Sequence, residues 1–157
     1  MAGQIAARLA ALGIVLPRPQ TPIGNYVPFV VTGSLVYVSG QGAKRDGGGM
    51  VHTGRLTDPM TIEQGQEATR FAAINVLAHV NTATGGDLDR VRRVVRLGGF
   101  VAAPESFTQH AAVMNGASDL MVAVFGEAGR HARTTIGVPS LPGGTPVEVE
   151  GLFEIAP

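Results

Sequence analysis

The sequence predicts an α+β fold in which two helices pack on one face of a mixed β-sheet, preceded by a short N-terminal helix. Three observations carry this reading. Runs with strand character and much period-two alternation occur at 28–39, 93–103, 132–138 and 147–155. Two segments of helical periodicity, one starting at Thr61 and one near Ser106, interrupt them. The resulting order, strand, strand, helix, strand, helix, strand, strand, contains no internal linker and no short-period repeat. Residues 1–157 are therefore read as a single domain, with 1–16 as an appended N-terminal helix and linker.

In "MAGQIAARLAALGIVLP", Ile5, Leu9 and Leu12 fall on one helical face, and Gly13 and Pro17 supply the stop. The apolar run is short, contains Arg8 and meets no clear small-residue cleavage site, so a docked amphipathic helix is expected rather than a secretory signal. No segment approaches the length of a membrane span, and a cytoplasmic location is expected. "PFVVTGSLVYVS" reads as a hairpin turning at Thr32–Ser34. A polar, glycine-rich connection follows to about Met60, with a short strand expected near Val51.

Thr61 and Gln64 have capping-box spacing, and Ala68, Phe71, Ile74, Leu77 and Ala78 form the apolar stripe of the helix they open. Gly85–Gly86 should stop it. The glycine pair in the strand "RVVRLGGFVAA" predicts a bulge or a close backbone approach. The second helix is expected from near Ser106, with Gln109 at its capping-box position and Val113, Ala117, Leu120 and Val124 buried. The two last strands are expected to form a hairpin around a loop rich in proline and glycine.

Composition narrows the chemistry. With 45% hydrophobic and 15% charged residues the chain is not disordered, and 157 residues can bury a proper core. The low charge suggests that partner subunits cover some surface. Twelve basic and twelve acidic residues leave no net charge to attract nucleic acid or an anionic membrane. The absence of cysteine excludes disulfides, thiolate metal sites and cysteine nucleophiles. The single lysine, Lys44, lies in "AKRDGGGM", read as an exposed loop and so a poor setting for a Schiff base. His52, His79, His110 and His131 are far apart and match no metal-binding pattern, so no metal site is expected.

"YVSGQG" lacks the glycine that a nucleophile elbow needs two residues before serine, and no phosphate-binding GxxxxGK[ST] loop occurs. In "DLDRVRRVVR" a regular strand would put Arg90, Arg92 and Arg96 on one face and Arg93 on the other, with Asp87 and Asp89 offsetting them. A solvated start of a strand is favoured there over an RNA patch.

The stretch "RHARTTIGVPSLPGGTPVEVEGLFEI" carries two readings. Arg133, Thr135 and Gly137 share a face of the first strand; Glu148, Glu150 and Glu154 lie opposite the apolar face of Val147, Val149, Phe153 and Ile155. Spacing alone favours weakly paired solvent-side charges. The functional reading makes Arg133 a bidentate clamp for a carboxylate and Glu148 an acid–base group.

Four segments in order, "IGNY", "YVSGQ", "EATRFAAINVLAHV" and "ARTTIGVPSLPGGTPVEVE", resemble the RidA/YjgF family of reactive-intermediate enamine/imine deaminases. The resemblance runs from about Pro22 to the C-terminus. It implies a chorismate-mutase-like fold, a homotrimer with sites in clefts between subunits, and hydrolysis of 2-aminoacrylate-like imines to 2-keto acids and ammonia without cofactor or metal. On this resemblance Arg133 binds the substrate carboxylate, Glu148 assists water attack, Tyr26 is the site tyrosine, and Ser39 with Gly40 lines the cavity. Thr135 stands where many members carry cysteine. Asn115 is similar to a family asparagine near the site, one residue further from the arginine. Asn25 replaces a common proline, and the N-terminal helix with "MNGASDLMVAVFGEAGRHART" resembles a longer branch labelled chorismate-mutase-like or endoribonuclease. Two alternatives stand beside the deaminase: a non-catalytic binder of small carboxylates such as keto acids, and an endoribonuclease or translation inhibitor. Nucleic acid is not the expected partner, and chorismate mutase activity does not follow from a shared fold.

Overall fold

The computed structural model describes residues 3–157; the first two residues of the expected 1–16 segment lie outside them. Helix α1 spans Gln4–Ala11. Its N-cap is Gly3, which has no side chain to offer, and the cap comes from far along the chain. Asp89 accepts from the backbone N–H groups of Gln4 at 2.8 Å and Ile5 at 2.7 Å. Arg8 donates to the carbonyl of Val124 at 3.0 Å, tying α1 to the end of α3 (His110–Phe125). Ile5 and Leu9 are buried, but Leu12 is exposed. The helix ends at that residue, and the turn through Gly13 sends Ile14 inward in its place.

Strands β1 (Phe29–Thr32) and β2 (Leu35–Gly42) form the expected hairpin. The strand expected near Val51 is reduced to a single bridge, in which Met50 pairs antiparallel with Lys44 and the Val51 N–H donates to the Ala43 carbonyl at 2.9 Å. Gly47, Gly48 and Gly49 all adopt left-handed backbones, which break an extended run, and Val51 reaches the core from a loop. Two-residue strands β3 (Arg55–Leu56) and β4 (Pro59–Met60) pair beyond it. Helix α2 (Ile62–Ala83) opens with the full capping box: Gln64 N–H donates to Thr61 Oγ1 at 3.2 Å, and Thr61 N–H to Gln64 Oε1 at 3.0 Å.

Strand β5 (Val91–Ala102) shifts register twice, between Val91 and Arg93 and between Val94 and Arg96. These irregularities leave Arg92 and Arg93 both exposed, so the simple alternation expected of the arginines fails. They also fall upstream of Gly98–Gly99, whose role is close approach. A side chain at Gly98 would strike Glu150, and one at Gly99 would strike the Met114 sulfur. Helix α3 begins at His110 rather than near Ser106, and Gln109 makes no side-chain cap. A turn closed by the Phe107 N–H on the Pro104 carbonyl buries Phe107 edge-on against the His110 ring, which holds these residues out of the helix.

Strands β6 (Ala132–Val138) and β7 (Val147–Ile155) have the expected limits but are not a hairpin. The sheet order is β1-β2-β7-β5-β6, so β5 lies between them, parallel to β6 and antiparallel to β7. The physical reason is the β5–α3–β6 crossover, which sets β6 on the outer side of β5 and leaves β7 the inner position. The α+β arrangement, with α2 and α3 on one face of a mixed sheet, is the expected one. The other face is open and carries exposed Val30, Tyr37 and Ile136. Among the described residues no helix is long and apolar enough to cross a membrane.

Where α2 crosses α3, Thr69 Oγ1 donates to the Val113 carbonyl at 2.8 Å and Gln66 Nε2 to the Ala112 carbonyl at 2.9 Å. A side chain at Gly116 would land on the Gln66 backbone carbonyl. Gly116→Ala should therefore destabilise by about 1–3 kcal/mol through overpacking. Thermal unfolding followed by circular dichroism should show a midpoint lower by several degrees; an unchanged midpoint would mean that the seam has room.

Candidate functional site

The sequence-predicted residues gather into two clusters. The first lies where β2 loses register, between Val38 and Gln41. Ser39 and Gly40 there line a cavity of about 110 Å³ together with Tyr26, Lys44 and Glu148. The backbone N–H and the hydroxyl of Ser39 both donate to the Pro28 carbonyl, at 2.9 and 3.0 Å, so its hydroxyl presents lone pairs to the cavity. Gly40 is required by proximity, because a Cβ would collide with Oε1 of Glu148. Tyr26 stands half-exposed at the rim.

Glu148 has no hydrogen-bond or ion-pair partner among the described residues. Burial pushes its carboxyl above the usual range, and the nearby Glu150 charge pushes in the same direction. Glu150 itself is engaged, accepting from Arg96 at 2.9 Å.

Beneath this cavity the buried Gln41 turns inward. Its Nε2 donates to the Ser39 carbonyl at 3.0 Å, which leaves Oε1 to accept from His79 Nε2 at 3.1 Å. His79 Nδ1 then carries no proton and has no partner among the described residues. Burial lowers the affinity of this imidazole for a second proton.

The second cluster lies at the far edge of the sheet, on the face of β6 that meets α3. Arg133 Nη1 donates to Asn115 Oδ1 at 2.9 Å and Ser118 Oγ at 3.0 Å, and Nη2 donates to the Ala111 carbonyl at 3.3 Å. Of its five N–H groups, the Nε–H and one Nη2–H have no partner among the described residues, which leaves two donors for an anionic ligand. Thr135 lies on the same strand face, and its buried hydroxyl has no partner among the described residues. Behind the arginine, His131 Nδ1 donates to the Gly129 carbonyl at 2.7 Å, and its Nε2 meets Ser118 Oγ at 3.0 Å. Burial and the Arg133 charge lower the pKa of His131, against the effect of the Gly129 hydrogen bond.

The two clusters do not meet within one chain. Glu148 projects from β7 on the open face, opposite Gly42 and Phe100, whereas Arg133 projects from β6, beyond β5, toward the helices. Sequence reasoning missed Ser118, which shares a helical face with Ala111 and Asn115 at i, i+4, i+7 spacing. It also misplaced Lys44, which is half-buried and lines the cavity. Of the basic run, Arg90 is spent on the carbonyls of Thr84 and Ala156, and Arg96 on Glu150. Among the described residues no group of histidine and carboxylate side chains is arranged to hold a metal ion.

The profile of the family described as "YjgF/chorismate mutase-like, putative endoribonuclease" matches residues 6–152. The chain belongs to the YjgF/RidA family. It is 49% identical to Protein TCP17 of Trypanosoma cruzi, over 98% of this chain and 95% of that protein. Atu1372 of Agrobacterium tumefaciens, described as of unknown function, is 42% identical with a TM-score of 0.89, covering 98% of this chain and 94% of the other. A putative endoribonuclease from Shewanella oneidensis is 33% identical with a TM-score of 0.92, over 98% and 100% of the two chains. The YjgF gene product and TdcF with bound serine, both from E. coli, share the fold alone at 21% and 22% identity, with TM-scores of 0.61 and 0.63.

The lowered pKa values of His79 and His131 give this YjgF/RidA chain a pH signature. In the unfolded chain both imidazoles take up a proton near pH 6.5, whereas the folded protein resists. The unfolded state then binds more protons, so stability is full above about pH 6.5 and falls with acidification. Melting temperatures measured from pH 7.5 to 5 should decline, and less steeply in His79→Gln. The same slope in the variant would remove His79 as a source.

Proposed function

We propose that the protein hydrolyses small enamines and imines of the 2-aminoacrylate kind to 2-keto acids and ammonia, in clefts formed between copies of the chain. The observation that carries this reading is the pair of complementary half-sites: a guanidinium with two unpartnered donors at Arg133, and an unpartnered, half-buried carboxyl at Glu148 beside a small cavity. Because they occupy opposite faces of one sheet, Arg133 of one copy meets Glu148 of its neighbour only through assembly. The exposed apolar residues Val30, Tyr37 and Ile136 on the open face support a homotrimer, as the family resemblance implies. TdcF, which shares the fold, holds serine, itself a small carboxylate.

In this reading Arg133 and the Thr135 hydroxyl hold the substrate carboxylate, with Asn115 and Ser118 fixing the guanidinium. Glu148 takes a proton as water adds to the imine carbon. It returns that proton to nitrogen to give the carbinolamine, whose hydroxyl proton then passes to nitrogen as ammonia leaves and the carbonyl forms. The substrate is already reactive, so positioning supplies much of the rate. Tyr26, Ser39 and Gly40 shape the wall on which it lies. The zero net charge gives no long-range attraction for nucleic acid, which favours this reading over RNA cleavage.

The test is to generate 2-aminoacrylate enzymatically and follow pyruvate with and without the protein. Arg133→Ala should raise KM by about 10–100-fold, the loss of charged hydrogen bonds. Glu148→Gln should lower kcat by about 100-fold or more. The same Glu148→Gln protein should melt no lower than wild type at pH 7. A carboxyl whose folded pKa is raised contributes stability below its unfolded value and loses it as pH rises through the folded value. No acceleration by wild type would sink the deaminase reading; 2-ketobutyrate binding that vanishes in Arg133→Ala would then indicate a carboxylate binder.

Assembly has its own check. Ile136→Glu places a charge on the open apolar face, and light scattering should show dissociation of a three-chain species with loss of activity. Full activity in a monomeric variant would overturn the shared-cleft arrangement.

A further inference from the structure

Lys44 is the chain's single lysine, and its backbone is held from two sides. The buried Asn75 of α2 donates through Nδ2 to the carbonyls of Gly42 at 2.8 Å and Lys44 at 3.0 Å. Gln20 Nε2 reaches the same Lys44 carbonyl at 3.5 Å. The next residue, Arg45, lies over the Phe71 ring, 5.6 Å from its centre. Lys44 instead lines the cavity that holds Tyr26, Ser39, Gly40 and Glu148, and its ammonium ends near the Pro142–Gly143 turn.

No carboxylate lies within ion-pair reach of this ammonium among the described residues, and Glu148 is no exception. The Glu148 carboxyl is perturbed by burial and by Glu150, with no compensating effect of a cation. The cavity is therefore two-ended, with an unpartnered carboxyl against Gly40 and an unpaired cation toward Pro142.

We propose that Lys44 binds a second, distal carboxylate of the substrate, so that imines of dicarboxylic 2-amino acids are the preferred class. This rests on the proposed deaminase reading, in which a neighbour's Arg133 takes the first carboxylate. One ammonium matches one carboxylate. A phosphate dianion would leave a charge uncompensated, since the adjacent Arg45 is turned onto Phe71. The reaction stays balanced without a co-reactant. Water oxygen adds to C2 as the C=N electron pair moves to nitrogen, which takes the proton that water gives up; the carbinolamine then expels ammonia as its hydroxyl proton passes to nitrogen and the C=O bond forms.

The test compares imines of equal carbon-chain length, generated in place by an amino-acid oxidase from glutamate and from norvaline, with catalase present. The release of keto acid above the spontaneous rate is measured. Wild type should show a kcat/KM about tenfold or more higher for the glutamate imine, the effect of one charged hydrogen bond. Lys44→Gln should bring the ratio close to one, and Lys44→Arg should restore most of it. Equal rates on both imines in wild type, or an unchanged ratio in Lys44→Gln, would overturn the assignment of Lys44. If neither imine is accelerated, the deaminase reading falls instead, and calorimetry decides Lys44 separately. Tighter binding of 2-ketoglutarate than of 2-ketovalerate, lost in Lys44→Gln, supports a distal carboxylate site; equal binding refutes it.

Discussion

Strand β7 runs through the middle of the sheet, and its pleat sends Val147, Val149, Phe153 and Ile155 into the core while Glu148, Glu150 and Glu154 go to the other face. Both long neighbours, β2 and β5, pair with it, so its register cannot drift without breaking two ladders. A slip of one residue would carry three carboxylates against α2 and expose four apolar side chains. That constraint fixes where Glu148 stands relative to Gly40 and Gly42. The irregularities of the sheet are placed on the neighbours, twice on β5 and once on β2, and the β2 irregularity is where the cavity opens.

The same constraint separates the two halves of the site. Arg133 sits on an edge strand, where pairing stops and a side chain can reach past the sheet, and it faces the helices rather than the open side. Within one chain the Arg133 guanidinium and the unpartnered Glu148 carboxyl lie on opposite faces of the sheet, and in the proposed reading they meet only through assembly. Copies joined through the open face would cover its apolar residues and also occupy the sheet edge, which isolated proteins must otherwise protect. The low charge content of the chain is consistent with surface intended for contact.

Much of the fold was legible because its signals are local. Alternation along β7, the hairpin at Gly33–Ser34 and the Thr61–Gln64 box depend on neighbours a few residues apart. The insertion of β5 between β6 and β7 depends on a crossover that no local pattern records, and a hairpin was the natural expectation. The start of α3 was misjudged because burial of Phe107 outweighs a capping pattern at Ser106. At the site, alternation put Glu148 and Arg133 on identifiable faces and allowed a clamp and an acid–base group, but spacing alone favoured solvent-side charges and only the family resemblance turned the reading. Lys44 could not be placed, since its direction depends on Asn75 reaching from α2. Ser118 escaped notice, and His131 was weighed only as a metal ligand, because their value lies in holding Arg133.

That holding network has a definite proton arrangement. The Gly129 carbonyl can only accept, so His131 Nδ1 must carry a hydrogen. Ser118 accepts from Arg133, which leaves its own hydrogen to donate to a bare His131 Nε2. The hydrogen bonds that link Gly129, His131, Ser118 and Arg133 are then all made with a neutral imidazole and a single positive charge. A second proton on His131 would face the guanidinium and force the Ser118 hydroxyl to turn its hydrogen elsewhere. The arginine is consequently held in one orientation before any ligand arrives, and the free Nε–H and Nη2–H donors keep their direction. For a substrate that needs alignment more than activation, an anchor whose geometry is settled in advance removes ordering entropy from the binding step.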